Sequence, residues 1–420
     1  MNTSKNINPF YSLLFLLFLL VQSSVFAQNI LENNIKKHIS FLASDSLKGR
    51  GTATLQCHEA AEYIAKQFKE IGLEAKGQNN TYLYKYNFKY NPIAHKTVQD
   101  SGTIEKQSEN VIGFLDNNKQ HTIVVGAHYD HLGLGTDHNS LDPNPEGKIH
   151  NGADDNASGT AGVIELARYF KENKITENYN YLFVCFSGEE LGLFGSKQFC
   201  EMPQYNLSSI NFMLNMDMIG RLNDSTKKIV IYGVGTAPQL VSILNSIPSK
   251  LVVKQDSSGV GPSDQTSFYL KNIPVLHYFT GQHSDYHKPS DDVEKINFVG
   301  EALVLNHVIS TLKKIDDLPK LEYLKTRDNV GENKTSFKVT LGIMPDYMFD
   351  GKGVKADGVT DGKTASKAGI KAGDVIIKMG DIDIDNMQTY MKALGKFSKG
   401  EATKVKIMRG KEVLELDATF

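Results

Sequence analysis

Two histidines and three carboxylates stand out in this 420-residue chain as a set that could hold divalent metal. His128 lies in GAHYDH, Asp155 in NGADDNASG, Glu190 in SGEE, Asp217 in NMDMIG and His287 in DYHKPSD. Hydrolysis by a metal needs ligands from several loops converging on one point. A mixed nitrogen and oxygen set without thiolates suits Zn²⁺. Five protein ligands exceed what one four-coordinate zinc takes. They fit two zincs that share a bridging carboxylate and a water, with the metals about 3.5–4 Å apart. Glu189 and Glu190 are adjacent, so one can bind metal while the other takes a proton from the held water. Each motif alone has a plainer reading. An Asp after a strand is often a cap, a GEE doublet often opens a helix, and lone histidines such as His138 or His307 are ordinarily surface or core residues. The weight rests on the five occurring together.

Such a set needs strands that end in loops. The run TIVVGA at 122–127 ends at GAHYDH, as a buried parallel strand ends at a functional loop. NGADDNASG runs into a helix over 159–173, where Val163, Leu166, Ala167 and Phe170 recur at helical spacing. Strands are expected at 181–186, 212–216, 229–233 and 274–279, and helices at 238–247 and 296–314. The mostly alternating pattern gives an α/β class: a mixed, mostly parallel sheet with helices on both faces. Further upstream, 30–73 reads as helical, with Ala61, Ile64, Phe68 and Ile71 on one face and Gly72 as the stop. Within it, LASDSLKGRGTAT, which carries Arg50 and Gly51, reads as a plain surface loop, with a loop near a pocket rim as the alternative. Residues 81–90 alternate aromatic and polar side chains, the sign of a half-exposed strand.

The motifs GAHYDH, NGADDNASG, FSGEELGLFGS, NMDMIG and DYHKPSDD resemble the two-zinc aminopeptidases, kin of the glutamate carboxypeptidases and glutaminyl cyclases. The resemblance spans 110–314, about half the chain. It implies a zinc-exopeptidase type of fold with two Zn²⁺ per chain. It makes His128, Asp155 and Asp217 ligands of one metal and Asp155, Glu190 and His287 ligands of the other, with Asp155 bridging. It makes Glu189 the general base, Asp130 the acceptor that orients His128, and Tyr286 a donor to the oxyanion. Asp154 is not implied as a ligand. The implied reaction removes N-terminal residues from peptides by way of a bridging metal-held water. Carboxypeptidase or dipeptidase action on the same fold is the rival; glutaminyl cyclisation, which in those relatives uses one zinc, fits five ligands less well. Ser263 and Asp264, in SSGVGPSDQTSFY, are candidates for the substrate pocket.

Residues 335–420 resemble a bacterial PDZ domain through VTLGIMPDY at 339–347 and ASKAGIKAGDVIIKMGD at 365–381. The resemblance implies a small β-rich unit with a helix over 385–397. It also implies a groove in which Leu341, Gly342 and Ile343 receive a peptide C-terminus by strand addition. A non-catalytic scaffold using that groove is the reading from another class. The chain is accordingly divided into a signal peptide at 1–27, a peptidase domain at 28–314, a linker at 315–334 and the PDZ unit at 335–420. Lys5, the apolar run LLFLLFLLV and Val25-Phe26-Ala27 carry the signal reading, which implies export to the periplasm or beyond and no membrane span after cleavage. A formal net charge of −2 argues against a nucleic-acid partner that needs bulk positive charge. Three cysteines make neither a disulfide framework nor a zinc knuckle, and a Cys57–Cys200 or Cys185–Cys200 bridge stays open.

Overall fold

A computed structural model describes residues 32–90, 104–137, 139–326, 339–345, 349, 351–359 and 362–420. The expected signal segment, His138 and most of the second half of the expected linker lie outside these residues.

The peptidase part begins with helix α1 at 32–42 and α2 at Leu55–Ile71. Thr54 caps α2 by accepting from the Cys57 N–H, and Gly72 ends it in the left-handed conformation, φ 83°. Strands β1 (Glu74–Ala75), β2 (Leu83–Tyr90), β3 (Ile104–Leu115) and β4 (Thr122–His128) follow. Then come α3 (Gly159–Glu172), β5 (Asn180–Phe186), α4 (Phe194–Phe199), β6 (Ile210–Met216), β7 (Lys228–Tyr232), α5 (Leu240–Asn245) and β8 (Val252–Gln255). The part closes with α6 (Gln265–Tyr269), β9 (Val275–Phe279) and α7 (Phe298–Asp316). The nine strands run in the order β1-β3-β5-β4-β6-β9-β7-β8, with β2 paired to β3. The four central strands β5, β4, β6 and β9 are mutually parallel, while β3 and β7 are antiparallel to their inner neighbours.

Alternation along the central strands fills two cores. Ile123, Val125, Phe183, Cys185, Phe212 and Leu214 point to the side covered by α1, α2, α3, α5 and α7. Val124, Leu182, Val184, Phe186 and Met213 point to the opposite side, against Phe199 of α4 and Phe268 of α6. Helices therefore cover both faces, as the mixed sheet requires.

The region 315–326, expected as the start of a linker, is packed on this domain instead. Ile315 and Leu321 join the core, the Leu324 N–H donates to the Thr236 carbonyl at 2.8 Å, and Thr326 lies 2.9 Å from the Tyr269 hydroxyl. Charge and lost periodicity hid an extended, side-by-side fit.

The C-terminal unit is a separate antiparallel sheet of β10 (Ile343–Pro345), β11 (Val354–Val359), β12 (Val375–Met379), β13 (Ile382–Asp383), β14 (Ala402–Arg409) and β15 (Glu412–Thr419). Its strand order is β10-β11-β12-β14-β15, with β13 paired to β12. Helices α8 (Thr364–Ala368) and α9 (Met387–Leu394) accompany it, and Leu341, Ile376, Tyr390, Val405 and Ile407 build its own core. No helix of the described residues is long and apolar enough to cross a membrane.

Candidate metal centre

The five residues converge at the carboxyl ends of the four parallel strands. His128 is the last residue of β4, Glu189 and Glu190 follow β5, Asp217 follows β6, and His287 lies in the loop after β9. Asp155 comes from the connection between β4 and α3, where 153–158 form a wide, π-type turn and the Asp155–Asn156 peptide is cis.

The geometry divides them into two sets that share Asp155. His128 Nε2 is 3.5 Å from Asp155 Oδ1 and 3.4 Å from Asp217 Oδ1. His287 Nε2 is 3.2 Å from Asp155 Oδ2 and 3.3 Å from Glu190 Oε2. Zinc bonds of about 2.0–2.1 Å hold tetrahedral ligand atoms roughly 3.3 Å apart, so all four separations match edges of zinc tetrahedra. Each oxygen of Asp155 faces a different histidine, the arrangement a bridging carboxylate needs. Asp217 Oδ1 is also buried without a hydrogen-bond donor among the described residues. The residues therefore fit a pair of divalent cations.

Electrostatics agree. Burial works to lower the pKa of His128, but Asp217, Glu189 and Asp155 outweigh it and raise it well above the usual range. His287 is raised in the same way, burial being overcome by Glu190 and Asp155. Burial favours neutral Glu190, yet His287 and His131 hold its carboxyl well below the ordinary value. Glu189 behaves oppositely: burial together with Glu190, Asp217 and Asp264 pushes it well above that value, against the pull of His128. Its nearest approach to His128 Nε2 is 4.0 Å, outside the tetrahedral spacing, which sets it beside the two sets and not within them.

The supporting residues differ in part from expectation. His128 Nδ1 lies 3.1 Å from the main-chain carbonyl of Asp130, whereas the Asp130 carboxylate is 3.8 Å away. That carboxylate instead accepts from the Thr52 hydroxyl at 2.6 Å and the Glu189 N–H at 3.3 Å, so it positions the glutamate loop. The Tyr286 ring stacks on His287 with centroids 3.9 Å apart. Ser263 and Asp264 are fully buried next to Asp217 and line no open surface; Ser263 Oγ accepts from Asn215 at 2.9 Å, and burial pushes the Asp264 carboxyl up to about 7. Asp154 turns away from the centre: it accepts from the Gly220 N–H at 2.7 Å and lies 3.1 Å from His283 Nε2. His307 is buried against the Tyr278 hydroxyl, and burial lowers its pKa to about 4. In the C-terminal unit Leu341 is buried, Gly342 has φ 79° and Ile343 opens β10. A cavity of about 750 Å³ is lined by Arg221, Thr280, His283 and Lys355 among others, and holds none of the five converging side chains.

Sequence reasoning missed four residues that shape the loops. Arg50 is completely buried, and its guanidinium donates to the carbonyls of Leu42 (2.6 Å), Tyr129 (2.8 Å), Asn151 (2.5 Å) and Gly152 (3.0 Å). It is no surface-loop residue but a brace between the His128 and Asp155 segments. Asn156 donates to the Met216 carbonyl at 3.0 Å and accepts from the Gly159 and Met218 N–H groups, tying the Asp155 turn to the end of β6. One oxygen of Asp291 accepts from the N–H groups of both Asp154 and Asp155 at 3.0 Å. His131, three positions after His128, reaches Glu190 Oε1 at 2.7 Å. Asp291 and His131 were visible inside their motifs; Arg50 and Asn156 act on main-chain groups and leave no side-chain pattern.

A mixed, mostly parallel sheet with a candidate divalent-metal cluster at its carboxyl edge, followed by an antiparallel unit with its own core, is the zinc-exopeptidase type of fold joined to a small β domain. Comparison with known proteins makes this specific. Residues 110–308 match Peptidase family M28 and residues 306–419 match the PDZ domain, so the chain carries a region of the M28 zinc aminopeptidase family followed by a PDZ domain. A "Probable leucine aminopeptidase" of Arthroderma otae is 26% identical over 246 residues, 52% of this chain and 61% of the relative. "Aminopeptidase YwaD" of Bacillus subtilis is 28% identical over 215 residues, 48% of this chain and 43% of the relative. The chain thus spans about half the length of these curated relatives. The solved structure of BSAP, a zinc aminopeptidase from Bacillus subtilis, superposes with a TM-score of 0.55 at 15% identity, covering 70% of this chain and 98% of that one.

Proposed function

We propose that this chain is an exported, zinc-dependent aminopeptidase that removes N-terminal residues from peptides. The observation that supports it most is Asp155, whose two oxygens each face a different histidine–carboxylate set. In this reading His128, Asp155 and Asp217 hold one Zn²⁺, and Asp155, Glu190 and His287 hold the second. When bound, such a pair supplies water acidified to a pKa of about 7 and an electrophile for the scissile carbonyl. Glu189 is the general base. Its acid-crowded, largely desolvated setting raises its proton affinity above the ordinary carboxyl value, so it can take a proton and return it to the leaving amine. Tyr286, stacked on His287, donates to the developing oxyanion. The PDZ unit takes a peptide C-terminus beside Leu341, Gly342 and Ile343.

The test is a panel of aminoacyl chromogenic substrates with free and acetylated amino groups. The free-amino substrates are cleaved, the acetylated ones are not, and a chelator abolishes turnover until Zn²⁺ is restored. Glu189→Gln keeps two metals and loses about 10²–10⁴-fold in kcat, the usual scale for a proton-transfer group. Turnover indifferent to chelation, or equal cleavage of acetylated substrates, sinks the aminopeptidase reading.

A further inference from the structure

We infer that His131 is a positioning residue that selects which oxygen of Glu190 is presented to the second metal set; this rests on the two-metal reading above. His131 Nδ1, Asp155 and Glu190 lie close enough together that His131 could itself be a ligand. The separations decide otherwise. His131 Nδ1 is 2.7 Å from Glu190 Oε1 and 3.8 Å from Asp155 Oδ2. Both miss the tetrahedral edge of roughly 3.3 Å by about half an ångström, in opposite directions, whereas His287 meets it twice. A separation of 2.7 Å is that of a charge-assisted hydrogen bond.

The tautomer follows from the surroundings. His131 is buried, and its Nε2 has no hydrogen-bond partner among the described residues. With hydrogen on Nε2, a donor would be orphaned and two lone pairs would meet at Nδ1 and Oε1. With hydrogen on Nδ1, only an acceptor is left bare, which costs less. Nδ1 therefore donates to Oε1, leaving Oε2 for the point that His287 and Asp155 also face. The ring cannot turn away. Gly152, at φ 58°, lies against it so closely that a Cβ there would stand 2.5 Å from His131 Cδ2. The His287 ring meets it edge-on at 5.9 Å, and the His131 N–H is held by the Arg50 carbonyl at 3.1 Å.

The experiment uses the full chain, stripped of metal and titrated with Co²⁺, following stoichiometry, affinity and the visible spectrum. His131→Ala weakens one of the two sites by about 10–100-fold, the usual cost of losing a partner of a metal ligand, and leaves the other unchanged. His131→Asn, whose amide N–H can take the place of Nδ1–H, recovers most of that loss and keeps the wild-type Co²⁺ spectrum. If the Asn variant is as weak as the Ala variant and its spectrum shifts, His131 is a direct ligand and the inference falls. Wild-type affinity in His131→Ala also overturns it while leaving the two-metal reading intact. Failure of the wild-type chain to take up two ions removes both. Should the Ala variant not fold, the Asn variant alone decides through its spectrum and its affinity relative to wild type.

Discussion

Replacing Arg50 by Met keeps most of the side-chain volume but strips four carbonyls of their donor. Those of Leu42, Tyr129, Asn151 and Gly152 are all satisfied by one guanidinium, which is itself fully enclosed. An orphaned buried acceptor costs about 1–3 kcal/mol, so the gross loss is roughly 4–12 kcal/mol. Part returns, because the wild-type protein bears the cost of dehydrating the cation, visible in a pKa that burial pulls below the usual range. The net expectation is about 3–5 kcal/mol, a large share of a domain's typical 5–15 kcal/mol. At about 2–4 °C per kcal/mol this lowers the peptidase-domain Tm by roughly 6–20 °C. The assay is thermal denaturation of metal-stripped protein, so that metal linkage does not add to the difference. Because the braced carbonyls flank His128 and Asp155, metal affinity falls as well. A Tm within about 2 °C of wild type, with metal affinity unchanged, would refute the bracing argument.

Glu301 is fully buried on α7, and burial, then Asp154, raises its pKa well above the ordinary value. Its folded pKa exceeds the unfolded one of about 4.3, so stability is lost as pH rises between the two. Glu301→Gln removes that loss; its Tm advantage over wild type should be larger at pH 8 than at pH 5, and an equal or reversed difference refutes the assignment. Cys57, Cys185 and Cys200 are buried and unpaired, and burial pushes the thiols of Cys57 and Cys200 up to about 12. A thiol reagent should react slowly with the folded protein and titrate all three after denaturation without reductant; a count of one would reveal a disulfide. Removing 335–420 should leave kcat on aminoacyl chromogenic substrates within about twofold, because the two parts have separate cores, and should alter selectivity among longer peptides. Complete loss of turnover with an intact peptidase-domain melting transition would count against a modular PDZ unit.

The sheet and its helices were legible because each central strand is a short apolar run that breaks at a polar motif. Val124 and Val125 look alike in sequence, yet one faces each core, so an uninterrupted apolar run correctly signalled a strand covered on both sides. The convergence of His128, Asp155, Glu190, Asp217 and His287 could be anticipated because all five lie in loops after apolar strand-like runs of one domain, at the strand ends where an α/β sheet gathers its ligands. Arg50 escaped because its partners are carbonyl groups, which every residue has. Asp130 was assigned the right neighbour through the wrong atom: its main chain, not its carboxylate, meets His128. Ser263 and Asp264 sit in a glycine- and serine-rich stretch that reads as exposed, but they lead directly into the short helix α6 and are fully buried.

Strands β4, β5, β6 and β9 are each clamped between neighbours and buried throughout, apart from a half-buried Thr122 at the start of β4. Sliding one of them by a single residue would move its tip about 3.3 Å and exchange its inner and outer side chains. Descendants of this chain therefore have little freedom in the strands themselves. Divergence is channelled into the segments that leave those tips, at exposed stretches such as 223–226 that hold none of the converging side chains or their supports.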